Sequence, residues 1–274
     1  MSNPFSYAGK RVVVSGAATG VGAALLELLA DLGGPEVTVL DVKAPTGPHA
    51  VFLETNLADP AAVDVAVAAI DGPVDVLFNN AGVNATAGIP TTIGVNLLAP
   101  RRLAEGLLPK LAPGAAVVNT ASSAGNNWAG HVAELTELLA IDDWDEAVAW
   151  TDAHRHVYES AHSDVYFFSK EAVQLWTLRW SAVARPHGVR VVSVCPAPID
   201  TPLLADFRKT MSDRVIDWNI AQAGGRLMSA REVAMPLAFL GSDAASYISG
   251  VNLVVDGGFN AAMVTGQLDY SALS

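Results

Sequence analysis

Short β-branched runs recur along this chain, each followed by a longer stretch with helical spacing, and this alternation restricts the fold more than any other feature. Arg11–Ser15 (RVVVS), Glu36–Asp41 (EVTVLD), Val51–Glu54, Val74–Phe78, Ala115–Thr120, Val189–Cys195 and Val251–Val255 read as strands. Helical spacing runs from about Val21 to Leu32 and from Asp164 to Ala184, the latter stopping before Pro186 and Gly188. Another helix opens at Asp59-Pro60, with Asp as N-cap and Pro at the first helical position. Apolar strands suit a sheet buried on both faces, and right-handed crossovers then give an α/β chain with a doubly wound, seven-stranded parallel sheet of the Rossmann type. No repeat, low-complexity tract or long linker interrupts it, so one domain over 1–274 is expected.

Bulk composition narrows the partners. The chain has 274 residues, 51% apolar and 16% charged, which excludes disorder. Its 16 basic and 28 acidic residues give a net charge of −12. Such a surface repels phosphate polymers and anionic membranes, so nucleic acid and membrane are not expected as partners, and acidic carrier proteins are disfavoured. Met1–Lys10 lacks the apolar run of a signal peptide, and no apolar stretch reaches the roughly 18 residues of a membrane span. The single cysteine, Cys195, cannot form an internal disulfide, so a soluble, cytoplasmic protein is expected.

Gly16-Ala17-Ala18-Thr19-Gly20-Val21-Gly22 follows the first strand and opens the first helix. Glycines there let the backbone turn tightly against a pyrophosphate, and the helix N-terminus offers free N–H groups and the positive dipole end. Asp41 ends the second strand, where a carboxylate accepts both ribose hydroxyls and repels a 2′-phosphate. NAD is therefore expected rather than NADP, although Lys43 is nearby.

Tyr166 and Lys170 lie four residues apart on the long helix, hence on one face. An ammonium beside a phenol favours phenolate, so the pair can make a proton donor and acceptor for neutral pH. A surface aromatic with a solvated lysine has the same spacing. Between the fifth strand and this helix, Asn126 to Ser163 breaks the rhythm with clustered carboxylates, three Trp and four His. Glu134–Leu139 and Asp145–His154 look helical, so an insertion at about 126–160 is expected to fold as a helix pair. His154, His156 and His162 are read as an exposed helix face, with no metal expected.

In order along the chain stand the glycine loop, Asn79-Asn80-Ala81-Gly82, Asn96 in Gly94-Val95-Asn96-Leu97, Ser122 in Ser122-Ser123-Ala124-Gly125, Tyr166/Lys170, Cys195-Pro196-Ala197-Pro198-Ile199-Asp200-Thr201, and Asp256-Gly257-Gly258. This set resembles the short-chain dehydrogenase/reductase family over nearly the whole chain. With its insertion, the chain is most similar to the 3α-hydroxysteroid dehydrogenase/carbonyl reductase subgroup and to coniferyl-alcohol-dehydrogenase-like enzymes. The resemblance implies Tyr166 as general acid/base and Lys170 as the group that lowers its pKa and holds the nicotinamide ribose. It implies Ser122 as hydrogen-bond partner of the substrate oxygen, with Ser123 the alternative. Asn96 would anchor a water that links Lys170 to solvent, a structural helix kink being the alternative.

For the cofactor, the resemblance implies Gly16, Thr19, Gly20, Val21 and Gly22 around the phosphates, Asp41 on the ribose, and Asn56 and Leu57 at adenine. Asn80, Ala81 and Gly82 would line the nicotinamide side with Tyr166 and Lys170, while Pro196, Ile199 and Thr201 would meet the carboxamide and phosphates. Val83, Trp128, Leu203, Leu204, Phe207, Met211 and Trp218 are expected as walls for a bulky apolar alcohol or ketone, such as a steroid, terpenoid or aryl alcohol. A homodimer or homotetramer is expected. The competing functions are a catalytically silent NAD-binding regulator and a mainly structural oligomer.

Overall fold

The computed structural model describes residues 3–160, 163–210 and 213–268. The first half runs β1 (Arg11–Ser15), α1 (Gly20–Asp31), β2 (Glu36–Asp41), β3 (Val51–Glu54), α2 (Pro60–Ala69), β4 (Val74–Asn79), α3 (Ile89–Ile93), α4 (Ala99–Leu107) and β5 (Leu111–Thr120). A π-helical stretch, Gly94–Leu98, joins α3 to α4. There follow α5 (Val132–Leu139), α6 (Trp144–Ala153), α7 (Arg155–Tyr158), α8 (Val165–Ala184), β6 (Arg190–Pro196), β7 (Ile199–Asp200), α9 (Pro202–Thr210), α10 (Asp213–Gln222), β8 (Met228–Ser229), α11 (Ala230–Gly241), β9 (Val251–Val255) and α12 (Phe259–Val264).

Seven strands pair in parallel in the order β3-β2-β1-β4-β5-β6-β9, the doubly wound sheet expected from the pattern. Alternation within each strand explains why both faces are covered. Val12 and Val14 of β1, Val76 and Phe78 of β4, and Val118 of β5 join a core with α1 and α11. Val13, Leu77 and Val117 point the other way, into a core with α2, α4, α8 and the insertion. Burying each of these branched side chains contributes about 1.5–3 kcal/mol.

The strand order reverses between β1 and β4, and register brings the carboxyl ends together there. Ser15 pairs with Asn79, Asn79 with Asn119, and Thr120 with Val194. The segments that leave these strands therefore emerge side by side, which is where ligands bind in open α/β sheets. β7 and β8 form a separate parallel pair of two residues each. The last strand of the main sheet is thus the ninth in the chain rather than the seventh.

The insertion holds three helices instead of two. The chain breaks at His154, whose Nδ1 lies 2.7 Å from the Trp150 carbonyl and whose ring stacks on Trp150, and resumes as α7. Trp150 and Tyr158 then stack on Phe168 of α8. At its start α6 packs on the π-helical stretch, where a Cβ added to Gly94 would sit 3.0 Å from Trp144. The insertion therefore covers one flank of α8. His162 and Met211 lie outside the described residues, and His156 is exposed.

Candidate active site

Local bonds set the position of each functional side chain. Asp164 caps α8 by accepting from the N–H groups of Tyr166 (2.8 Å) and Phe167 (3.4 Å), which fixes the helix start two residues before Tyr166. Ser122 ends the β5 segment and begins a short turn, its Oγ accepting from Ala124 N at 3.1 Å. Gly125 closes that turn directly against α8. A Cβ there would collide with the Lys170 backbone and approach Gln174 Nε2 to 2.7 Å. The spacing Ser122-x-x-Gly125 is thus the one that lets the serine loop lie on the helix at Lys170. Gln174 Nε2 then donates to the Ser122 carbonyl at 2.8 Å.

These contacts place Ser122 beside Tyr166, near enough for the serine to pull the phenol pKa downward. Ser123 borders the same cleft but is more exposed. Tyr166 is 9 % exposed and Lys170 4 %. Lys170 Nζ donates to the Thr120 carbonyl at 2.9 Å and lies 5.7 Å from the Tyr166 ring centre. Burial pushes the Tyr166 phenol up to about 12, against a downward pull from Ser122 and a smaller upward push from Asp164. Burial also pushes Lys170 down to about 8. The resemblance implied a phenol depressed by Lys170; in this structure loss of hydration moves it upward instead.

Asn96 sits in the π-helical stretch, 2 % exposed. Its Nδ2 donates to the Val83 carbonyl and to Ser169 Oγ, both at 2.9 Å, and its Oδ1 accepts from Val83 N at 2.9 Å. Ser169 Oγ in turn donates to the Tyr166 carbonyl at 2.7 Å. The asparagine side chain is committed to joining the Gly82-Val83 turn to α8, and it does not border the cleft. A Cβ on Gly82 would lie 3.5 Å from Asn96 Oδ1 and 3.6 Å from Lys170 Nζ, so both side chains approach that glycine.

A cleft of about 1340 Å³ runs along the carboxyl ends of the strands. It is bordered by Gly16, Thr19, Gly20, Val21, Asp41, Asn56, Leu57, Asn80, Ala81, Gly82, Pro196, Ile199 and Thr201, together with Ser122, Tyr166 and Lys170. Gly22 does not border it; a Cβ there would strike the Gly16 carbonyl and lie 2.6 Å from Asn80 Nδ2. Gly16 adopts φ 71°, and a Cβ on it would meet Ala81. Ser15 fastens the two turns, accepting from Asn80 N (3.1 Å) and Ala81 N (3.2 Å), and Asn80 Nδ2 donates to the Gly16 carbonyl at 2.7 Å. Asp41 Oδ2 accepts from Ala18 N at 2.9 Å and Oδ1 from Lys43 N at 3.2 Å. The cradle that only glycine fits, the N-terminus of α1 beside it and the Asp41 carboxylate at its edge match a dinucleotide.

Val83, Leu203, Leu204 and Phe207 border the cleft as expected, and Phe207 packs edge-on against the Tyr166 ring. Trp128 and Trp218 do not. Trp128 packs on the core beside α8, and Trp218 meets Phe259 edge-on, leaving Phe259 to face the cleft. Sequence reasoning missed Asn126, His131 and Glu171, which also border it. The signal for Glu171 was the one carboxylate within the long helix α8.

Sheet order, glycine cradle and buried Tyr166–Lys170 pair together define a Rossmann-type oxidoreductase. The model of the family described as short chain dehydrogenase matches residues 10–134, and that described as Enoyl-(Acyl carrier protein) reductase matches 146–260. Coniferyl-alcohol dehydrogenase of Pseudomonas sp. (strain HR199 / DSM 7063) is 29% identical over 259 residues, covering 93% of this chain and 98% of the relative. Cis-4-hydroxycyclohexanecarboxylate dehydrogenase of Sinomonas cyclohexanicum is 33% identical over 273 residues, covering 93% and 98%. The crystal structure of the 3-alpha-hydroxysteroid dehydrogenase from Pseudomonas sp. B-0831 complexed with NADH superposes with a TM-score of 0.77 at 30% identity, covering 95% of this chain and 100% of that one. The chain belongs to the short-chain dehydrogenase/reductase family. Among the described residues, no helix is long and apolar enough to cross a membrane.

Proposed function

We propose that the protein interconverts an alcohol and its carbonyl with NAD as hydride partner, acting as one catalytic domain in which Tyr166 handles the proton. The observation that carries this reading is the convergence of Ser122, Tyr166 and Lys170 in the same cleft that begins at the glycine cradle. When bound, the nicotinamide supplies the hydride acceptor or donor. Gly16, Thr19, Gly20 and Val21 would hold the phosphates against the α1 N-terminus, Asp41 the adenosine ribose, and Asn56 and Leu57 the adenine. Asn80, Ala81, Gly82, Pro196, Ile199 and Thr201 would hold the nicotinamide half.

Ser122 orients the substrate oxygen. In oxidation the alcohol proton passes to Tyr166 Oη in its phenolate form as the carbon gives up hydride; in reduction the phenol returns it to the forming alkoxide. Lys170, charged at neutral pH, stabilises the negative charge that builds up on Tyr166 and would reach the nicotinamide ribose. Asn96 acts through Ser169 and the Gly82-Val83 turn, positioning α8 rather than touching substrate.

NAD is favoured because the Asp41 carboxylate faces the position of a 2′-phosphate, with repulsion of about 4 kcal/mol at 4 Å for an effective dielectric near 20. Val83, Leu203, Leu204, Phe207 and Phe259 leave an apolar wall suited to a ring-bearing alcohol. Relatives named for coniferyl alcohol, cis-4-hydroxycyclohexanecarboxylate and 3-alpha-hydroxysteroids support that substrate class. A homodimer or homotetramer fits the family, and the buried thiol of Cys195 fits the cytoplasm. NADH fluorescence on a panel of steroid, terpenoid and aryl alcohols, with NADP in parallel, tests the reading. Turnover with NAD on a ring-bearing alcohol is expected; turnover only on small aliphatic alcohols, or preference for NADP, contradicts it.

A further inference from the structure

One wall of the cleft serves neither the cofactor nor the reacting carbon. Asn126 Oδ1 accepts from Gln174 Nε2 at 3.2 Å, which fixes the direction of the amide, and Gln174 is held in turn by the Ser122 carbonyl. The remaining amide nitrogen, Asn126 Nδ2, is buried without a partner although the residue borders the cleft. Buried donors in native proteins are nearly always satisfied. A donor left over at the edge of a ligand cavity points to a group that the ligand brings.

His131, from the insertion, borders the same wall. Its Nδ1 lies 2.6 Å from Glu171 Oε2, and Glu171 is buried in α8 directly after Lys170. The imidazole is rigid, and a bond at Nδ1 turns Nε2 away from Glu171. Among the described residues that nitrogen has no hydrogen-bond partner. In the tautomer that donates Nδ1–H to the carboxylate, Nε2 is an acceptor. Glu171 and Gln174 are three residues apart on α8, so the side chains they hold are neighbours within one turn.

We infer that Asn126 and His131 form a polar subsite for a second hydroxyl of the substrate, remote from the carbon that exchanges hydride. That hydroxyl accepts from Asn126 Nδ2 and donates to His131 Nε2, using both leftover groups at once. The substrate class thereby narrows from apolar alcohols to diols and phenolic alcohols. A carboxylate fits less well, because Glu171, Glu159 and Asp164 border the same cleft. The inference rests on the reading of Ser122, Tyr166 and Lys170 as the reacting end. Glu171 is a positioning residue that fixes the His131 tautomer.

The test is kcat/KM, with NAD and with NADP, for three matched pairs: benzyl and 4-hydroxybenzyl alcohol, cinnamyl and 4-hydroxycinnamyl alcohol, cyclohexanol and cyclohexane-1,4-diol. In at least one pair the wild type is expected to prefer the dihydroxy member by roughly 100-fold. Asn126→Ala and His131→Asn should each cut that preference about tenfold. His131→Asn keeps a nitrogen near Nδ1 for Glu171 but lacks the distal one, whereas His131→Gln puts an amide at the distal position and should restore part of the preference. Glu171→Gln should raise KM for the dihydroxy member with little change in its kcat. No preference in any pair, variants that keep it in full, or variants that lose both members of a pair equally would each overturn the subsite and leave the oxidoreductase reading standing. No turnover of any member with either dinucleotide would overturn that reading itself, and the subsite with it.

Discussion

Lys170 Nζ donates to the main-chain carbonyl of Thr120 at 2.9 Å, so the ammonium is tied to the end of β5 beneath the cleft rather than to the phenol it accompanies. Its proton is the easier of the two to lose, since burial brings Lys170 down to about 8 while Tyr166 rises to about 12. Reduction of a carbonyl needs a protonated Tyr166 and gains from a charged Lys170. The rate should hold through neutral pH and fall above pH 8 as Lys170 deprotonates, with Tyr166 still protonated. A pH profile of kcat/KM for reduction checks this, and Lys170→Met should lower the rate and abolish the limb.

The same shifts set the sign of stability against pH. Lys170 falls from an ordinary 10.5 to about 8 on folding, so below pH 8 both states hold the proton and the burial cost is fully present. Between those values the unfolded chain binds more protons, and stability rises with pH. Tyr166, raised from 10.0 to about 12, makes stability fall across its own window. Urea midpoints of wild type and Lys170→Met should therefore converge between pH 8 and 10, and parallel curves would contradict the burial of a charged lysine.

Asn96→Ala deletes two donors and one acceptor, leaving the Val83 N–H and carbonyl without their side-chain partner and Ser169 Oγ without its donor. A loss of about 2–4 kcal/mol in urea unfolding is expected, with a fall in kcat as α8 loses its tie to the turn. Asn96→Asp should fare no better, because it supplies no donor for Val83 O or Ser169 Oγ. Wild-type stability in both variants would show that these bonds carry nothing.

The strands of the parallel sheet, the glycine cradle and the Tyr166/Lys170 helix are legible because each is a pattern of a few consecutive residues. What escaped depends on contacts distant in sequence. The π-helical stretch at Asn96 is held by Ser169, and the His131–Glu171 pair joins positions 40 residues apart. Trp128 and Trp218 were assigned to the cleft because bulk and apolarity do not reveal direction; packing against α8 and Phe259 decided it. The Tyr166 shift had the wrong sign because neighbours can be read from spacing and burial cannot.

Asp41→Asn keeps an acceptor for Ala18 N–H while removing the charge proposed to repel a 2′-phosphate. Wild type should favour NAD over NADP in kcat/KM, and the substitution should narrow the ratio by roughly tenfold, chiefly through the KM for NADP. An unchanged ratio would take the discrimination away from Asp41.

Gly16→Ala forces a Cβ toward Ala81 at a positive φ. Strain of about 1–2 kcal/mol is expected, together with a loss of NADH affinity that fluorescence titration would detect. Retained affinity would show that the cradle does not hold the dinucleotide.

The central claim is proton transfer by Tyr166, and turnover of Tyr166→Phe alongside its NADH affinity tests it most directly. The phenyl ring keeps the contact with Phe207 and lacks only the hydroxyl beside Ser122. Turnover lower by roughly 100-fold or more, with NADH binding within a few fold of wild type, is predicted. Turnover at the wild-type level would contradict it.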